Sequence, residues 1–356
     1  MGNSLVLTCG MEGEKGSRRS GKTLLLGSCP GPPAPCYYPA VNLSIEVSVL
    51  RHSLILMAAQ LCISASLLAQ WPPPPGHTML DVWPHAAPGA PANLPPEADT
   101  TTAKENLIAG KPLVRLGNVS KPTLTLYAPP EGKNTGAAVV VFPGGAYRIL
   151  AIDLEGTEVC DWLNSAGIAC VLLKYRVPDT GPYPKSAAAL QDAQRAVGIV
   201  RSHAADWRID PHRIGVLGFS AGAHLAAALS THFEKRLYDP VDAADDLSCR
   251  PDFAVIVYPG YLAISEQNFA PNSEIRPTEQ TPPSFIVQAE DDPVHIENST
   301  VYFLALKNAK VPAELHIYAQ GGHGYGLRRT DLPVTAWPQL VETWLHTINI
   351  LPGATR

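Results

Sequence analysis

One junction constrains the fold of this chain more than any other. The apolar run RIGVLGF (213–219) meets AGAHLAAALS (221–230), a segment of good helix formers, with only Ser220 between them. A strand that passes straight into a helix has no connecting loop, so the backbone must reverse at the serine, and its neighbours Gly218 and Gly222 supply the lack of bulk that such a turn needs. The turn lifts the serine hydroxyl above the carboxyl ends of the strands. It also sets that hydroxyl over a helix N-terminus, whose unsatisfied N–H groups carry partial positive charge. A nucleophile and an anion site therefore arise together. Taken alone, Gly-x-Ser-x-Gly is also compatible with Ser220 as a helix N-cap, so the partners must decide.

The rest of the chain alternates apolar runs with helix-period segments. LTLYAP (124–129), AAVVVFPG (137–144), IACVLLKY (168–175), FAVIVYP (253–259), SFIVQA (284–289) and ELHIYA (314–319) read as strands. Helices are expected near 156–166, 186–207, from Ala221, near 299–308 and near 336–348. In the second of these, Leu190, Ala193, Val197 and Val200 form one stripe. Such alternation predicts an α/β fold with a mostly parallel central sheet covered by helices on both faces. Only about twenty-five residues separate the VYPGYL strand from SFIVQA, too few for a large lid, so an open pocket is expected.

A serine hydroxyl becomes a useful nucleophile when a histidine takes its proton and a carboxylate fixes that histidine's tautomer. Glu290-Asp-Asp-Pro-Val294 follows SFIVQA, and Gly321-Gly-His-Gly-Tyr325 follows ELHIYA. A carboxylate and a histidine thus end two successive strands in the chain order Ser, Asp, His. Asp292 is selected as the orienting carboxylate because the residue before a proline is held extended; Asp291 is the rival. His323 sits in a glycine-rich loop, the setting of a functional rather than a packed histidine. His224, four residues after Ser220 on the following helix, reads as a core or capping residue. Acyl transfer also needs donors for an oxyanion. The N–H of Ala221 is one, and the turn Pro143-Gly-Gly-Ala-Tyr147 offers Gly144 and Gly145.

Composition excludes other classes. The 356 residues are 46% hydrophobic and 17% charged, with net charge −5 and no long basic block, so nucleic acid is not an expected partner. Four of the seven cysteines lie in the first seventy residues; the remaining Cys160, Cys170 and Cys249 are odd in number and lack Cys-x-x-Cys spacing, so neither a disulfide scaffold nor a zinc site is expected. GSRRSGKT (16–23) matches the phosphate-loop pattern, but Gly27, Pro30, Pro32 and Pro33 stop the helix that such a loop must open.

RHSLILMAAQLCISASLLAQ (51–70) has a basic flank and an apolar run of about fifteen residues, too short to span a membrane. It reads as a signal peptide around 51–69, and Leu61 before Cys62 argues against a lipid anchor. The expected organisation is a leader over 1–70, a Pro/Ala-rich arm over 71–110 and one catalytic domain over 111–356. The expected location is secreted or periplasmic, with no stable membrane insertion once the leader is removed.

Together, FPGGAY, GFSAGAHLAA, EDDPV and GGHGYG resemble the motifs of the α/β-hydrolase esterases over about residues 110 to 350. EGTEVCDWLNSAGIACVLLKYRVP (155–178) and RPDFAVIVYPGYL (250–262) extend the likeness to secreted bacterial carbohydrate esterases acting as acetyl xylan esterases, some also as feruloyl esterases. The resemblance implies Ser220 as nucleophile, His323 as general base and acid, Asp292 as its orienter, and Gly144, Gly145 and Ala221 as oxyanion donors. It implies a small-molecule or polysaccharide ester as substrate, and no cofactor or metal. One departure is Pro143, where the commoner pattern begins with a histidine that would brace the turn. The alternatives are a general short-chain carboxylesterase, a serine peptidase of the same fold, and a scaffold that binds without catalysis.

Overall fold

The computed structural model describes residues 75–352 apart from 92, 103–106 and 180–185. The leader, the segment 51–69 and the phosphate-loop match at 16–23 lie outside the described residues.

Eight strands form the main sheet: β1 (Thr78–Asp81), β2 (Thr123–Tyr127), β3 (Ala138–Phe142), β4 (Ala169–Lys174), β5 (Ile214–Phe219), β6 (Ala254–Val257), β7 (Ser284–Ala289) and β8 (Ala313–Tyr318). Their spatial order is β1-β2-β4-β3-β5-β6-β7-β8. β2 runs antiparallel to both neighbours and all other pairings are parallel. Every residue of β2 through β7 is buried, which explains why these strands read as unbroken apolar runs. β8, at the edge, is half-buried, and it is the strand that carries Glu314 and His316.

The helices are α1 (Glu158–Ser165), α2 (Ala187–Ser202), α3 (Ala221–Thr231), α4 (Glu297–Asn308) and α5 (Trp337–Thr347). α1 meets α5 through Trp162 and Trp337, whose ring centroids are 5.4 Å apart, while α2 packs along α3. Phe219 of β5 sits 6.0 Å from the Trp337 ring, and both are fully buried. Each such side chain contributes about 1.5–3 kcal/mol by leaving water. Among the described residues no helix is long and apolar enough to cross a membrane.

One expectation is extended and one corrected. The Pro/Ala-rich arm over 71–110 is, from Thr78, woven into the sheet: β1 pairs with β2, and Ala98–Asp99 joins Arg115–Gly117 and Ile149–Ala151 in a small antiparallel sheet. Trp83 of this segment donates its indole N–H to Asp192 at 2.7 Å, and its ring lies 5.8 Å from the guanidinium carbon of Arg176 and 5.4 Å from that of Arg195. The polar face of α2 that would otherwise meet water is thereby buried, so Asp192 and Arg195 accompany the predicted apolar stripe into the interior. Second, Cys160 of α1 and Cys170 of β4 form a disulfide, with Cα atoms 5.1 Å apart. The α1–β4 turn brings them together, a proximity that cysteine spacing alone does not reveal.

Candidate active site

Ser220 occupies the reversal that the sequence demands, at φ 52° and ψ −115°. A non-glycine residue in such a conformation costs on the order of 1–3 kcal/mol and persists only where its surroundings hold it. Here Ser220 N–H donates to Val257 O at 3.0 Å, and Ser220 O accepts from Gly260 N at 3.3 Å. A Cβ on Gly218 would lie 2.0 Å from Gly222 O, and one on Gly222 would lie 2.0 Å from Phe142 O. The two glycines flanking Phe219-Ser-Ala221 are thus a requirement of backbone approach.

Residues from the ends of β5, β7 and β8 converge. His323 Nε2 is 2.9 Å from Ser220 Oγ, and His323 Nδ1 is 2.9 Å from Asp292 Oδ2. The acceptor-only carboxylate fixes the proton on Nδ1, leaving Nε2 to accept the serine proton. The Asp292 side chain is fully buried, while that of His323 is 24% exposed and can reach substrate and water. Val294 N–H donates to Asp292 Oδ1 at 2.7 Å, and Gln288 donates to Oδ2 at 3.0 Å. Gln288 is held in turn by the Ser299 hydroxyl at 2.6 Å. Its only trace in the sequence is an amide within the apolar run SFIVQA. The rival Asp291 acts elsewhere, its carboxylate accepting the Gly322 N–H at 2.7 Å and so pinning the histidine loop. His224 is buried with Nδ1 2.7 Å from the Tyr147 hydroxyl, away from the triad geometry.

The oxyanion side departs from expectation at Gly144. Its N–H is already committed, donating to Glu155 Oε2 at 2.7 Å. Gly145 and Ala221 are not so committed: among the described residues, neither N–H is donated to a protein acceptor, and the same holds for Ala146, which sequence reasoning overlooked. Glu155 is buried, and its Oε1 accepts the Tyr258 hydroxyl at 2.8 Å. Burial pushes the Glu155 carboxyl above its ordinary value, against the pull of the Tyr258 hydrogen bond and of nearby His323. Burial, then the neighbouring Glu155, likewise drives Tyr258 well above the phenol range, so it stays a hydroxyl donor.

Ser220 and His323 open into a cavity of about 840 Å³. Thr100 of the arm, Arg115 just beyond it, Ile149 and Leu154 form part of its wall, with Tyr261 and Phe269 from the short segment after β6. That segment contributes only a two-residue-stranded hairpin, Ala263–Ile264 with Ala270–Pro271, and no large lid. This part of the wall left no signal in the sequence, because Thr100 and Arg115 are brought to the site by the small antiparallel sheet. Among the described residues no cluster of His, Cys, Asp or Glu is arranged to hold a metal ion.

The BD-FAE family model matches residues 124–257 of this chain. A crystal structure of the acetyl ester-xyloside bifunctional hydrolase from Caldicellulosiruptor lactoaceticus is similar over 77% of this chain and 97% of that one, with 33% identity and a TM-score of 0.60. This chain belongs to the α/β-hydrolase esterases. Its similarity to other members includes an acetylxylan esterase of Xylanibacter ruminicola, 31% identical over 218 residues, which are 54% of this chain and 42% of that protein. It also includes endo-1,4-beta-xylanase B of Butyrivibrio fibrisolvens, 30% identical over 207 residues, which are 52% of this chain and 32% of that protein. This α/β-hydrolase esterase therefore spans less than half the length of those two relatives.

Proposed function

We propose that this α/β-hydrolase esterase is an extracytoplasmic serine esterase that removes small acyl groups, acetyl foremost, from plant cell-wall carbohydrate. The observation that carries the reading is the hydrogen-bonded line from Ser220 through His323 to Asp292 at the floor of an open cavity. Ser220 Oγ attacks the ester carbonyl while its proton passes to His323 Nε2. The tetrahedral oxyanion is met by the N–H groups of Gly145 and Ala221, with Ala146 beside them. Collapse expels the alcohol, protonated by His323, and leaves an acyl-serine. Water then gives its proton to His323, attacks the acyl carbon, and the acid departs as Ser220 regains its proton.

Carbohydrate as the alcohol is supported by the acetylxylan esterase and xylanase relatives, and by a cavity of about 840 Å³ lined by Tyr261 and Phe269. Export is supported by the segment 51–69 and by the Cys160–Cys170 disulfide, since such bonds persist in oxidising compartments. The test compares acetate release from acetylated xylan with hydrolysis of aryl acetates and release of ferulate from feruloylated xylan, with Ser220→Ala as control. Faster turnover on acetylated xylan than on aryl acetates supports the reading. Aryl acetate turnover with untouched xylan would make the protein a general short-chain carboxylesterase, and failure of a fluorophosphonate to label Ser220 would leave only a binding scaffold.

A further inference from the structure

The peptide groups of the oxyanion turn are fixed one after another by partners outside it. Pro143 O accepts the Tyr175 hydroxyl at 2.5 Å, and the N–H of the same peptide unit, on Gly144, donates to Glu155. The first peptide of the turn is therefore clamped at both poles. In the next unit, Gly144 O accepts Ala151 N–H at 3.0 Å. Because a trans peptide directs its N–H opposite to its C=O, the Gly145 N–H is turned away from Ala151. On the far side of Glu155, Tyr258 donates to Oε1 and itself accepts Gly326 N–H at 3.2 Å, three residues beyond His323. The Tyr258 and His323 rings are 5.0 Å apart.

Burying a carboxylate without a cationic partner is unfavourable unless hydrogen bonds recover the loss. Among the described residues Glu155 has no ion pair, and each of its two oxygens takes one donor. An apolar side chain would fill the same volume but could not join two donors on opposite sides of the site. Gly144 leaves no room for rearrangement: a Cβ there would lie 2.6 Å from Glu155 Oε2 and 2.9 Å from Ser220 Cβ. The brace also stands beside Pro143, where the commoner pattern has a histidine.

We propose that Glu155 is the positioning residue of the oxyanion turn, tying Gly144 to Tyr258 so that the Gly145 N–H faces the tetrahedral intermediate and the turn moves as one with the histidine loop. This rests on the esterase reading above. The test uses Glu155→Gln, which keeps the volume but offers one acceptor oxygen in place of two, and Tyr258→Phe, which removes only the bridging hydroxyl. In each, kcat should fall about 10- to 100-fold with KM within about two-fold. Affinity for an alkyl boronic acid, which forms a tetrahedral adduct on Ser220, should weaken by the same factor as kcat, whereas a purely structural loss would not track the two together. Tyr258→Phe carries the test alone should Glu155→Gln fail to fold. A folded variant with wild-type kcat and boronate affinity would overturn the role of Glu155. A wild-type protein that neither hydrolyses esters nor labels at Ser220 would instead sink the esterase reading, so the two failures are distinguishable.

Discussion

The turn after β5 and the turn after β3 meet at the floor of one cavity but are made of different material. At the first, the proposed function rests on side chains: Ser220, and the His323 and Asp292 that reach it from two other strand ends. At the second, the proposed function rests on the direction of backbone N–H groups, and Glu155, Tyr175 and Tyr258 are hydrogen-bonded to or around that backbone. A side-chain site is announced by residue type. A backbone site depends on which N–H is already committed elsewhere, and that information is distributed through the fold.

The largest expected effect lies on the side-chain half. Asp292→Asn keeps shape but presents an amide where the His323 Nδ1 proton needs an acceptor, and the wrong tautomer should lower kcat about 10⁴-fold. Steady-state kinetics on an aryl acetate measures this directly, with unchanged thermal unfolding as the control. A loss below about ten-fold would mean that another group orients His323, and would remove the sharp contrast between the two halves.

On the backbone half the effect should be smaller because several N–H groups share the charge. Gly145 has φ 132°, and a Cβ there would fall 2.1 Å from Ile149 O, so Gly145→Ala must displace the turn. Loss of one oxyanion donor lowers kcat about 10²–10³-fold. Ser220 should still label with a fluorophosphonate, only more slowly. Unchanged turnover would show that Ala221 and Ala146 suffice without Gly145.

The same distinction explains what the sequence could disclose. The parallel core was legible because β3 to β7 are buried on both faces and therefore read as continuous apolar runs. Ser220 was legible because Gly218 and Gly222 touch other backbone atoms. Gly144 and Gly145, equally small neighbours in the motif, could not be told apart, since only the fold places Glu155 Oε2 on the Gly144 N–H. The arm was illegible for a related reason: β1 and Trp83 gain their structure from partners on β2 and α2, not from their own periodicity.

Asp291 sits between the two kinds of control, a side chain acting through a backbone, since its carboxylate holds the Gly322 N–H next to His323. Asp291→Ala frees the loop but leaves the Asp292–His323 hydrogen bond in place, so kcat should fall only about ten-fold, in line with a modest loss of orientation. Measuring Asp291→Ala beside Asp292→Asn separates positioning from charge. Equal losses in the two variants would show that loop placement, not tautomer control, dominates.

The smallest effect concerns stability and leaves the reaction aside. Burial raises the Glu155 carboxyl above its ordinary value of 4.5, so the folded protein retains a proton in a pH window where the unfolded chain has released it. Stability from this group is therefore complete below the unfolded value and is lost as pH rises through the folded one. Glutamine at 155 has no such proton. Urea midpoints of wild type and Glu155→Gln, compared from about pH 4 to about pH 7, should diverge, the wild type losing ground to the variant as pH climbs. Asp292→Asn, referred to the same wild type, tests whether the slope belongs to the buried brace of the β3 turn. A difference that stays flat for Glu155→Gln would mean that the carboxylate holding the backbone turn titrates in the folded protein as it does in the unfolded chain.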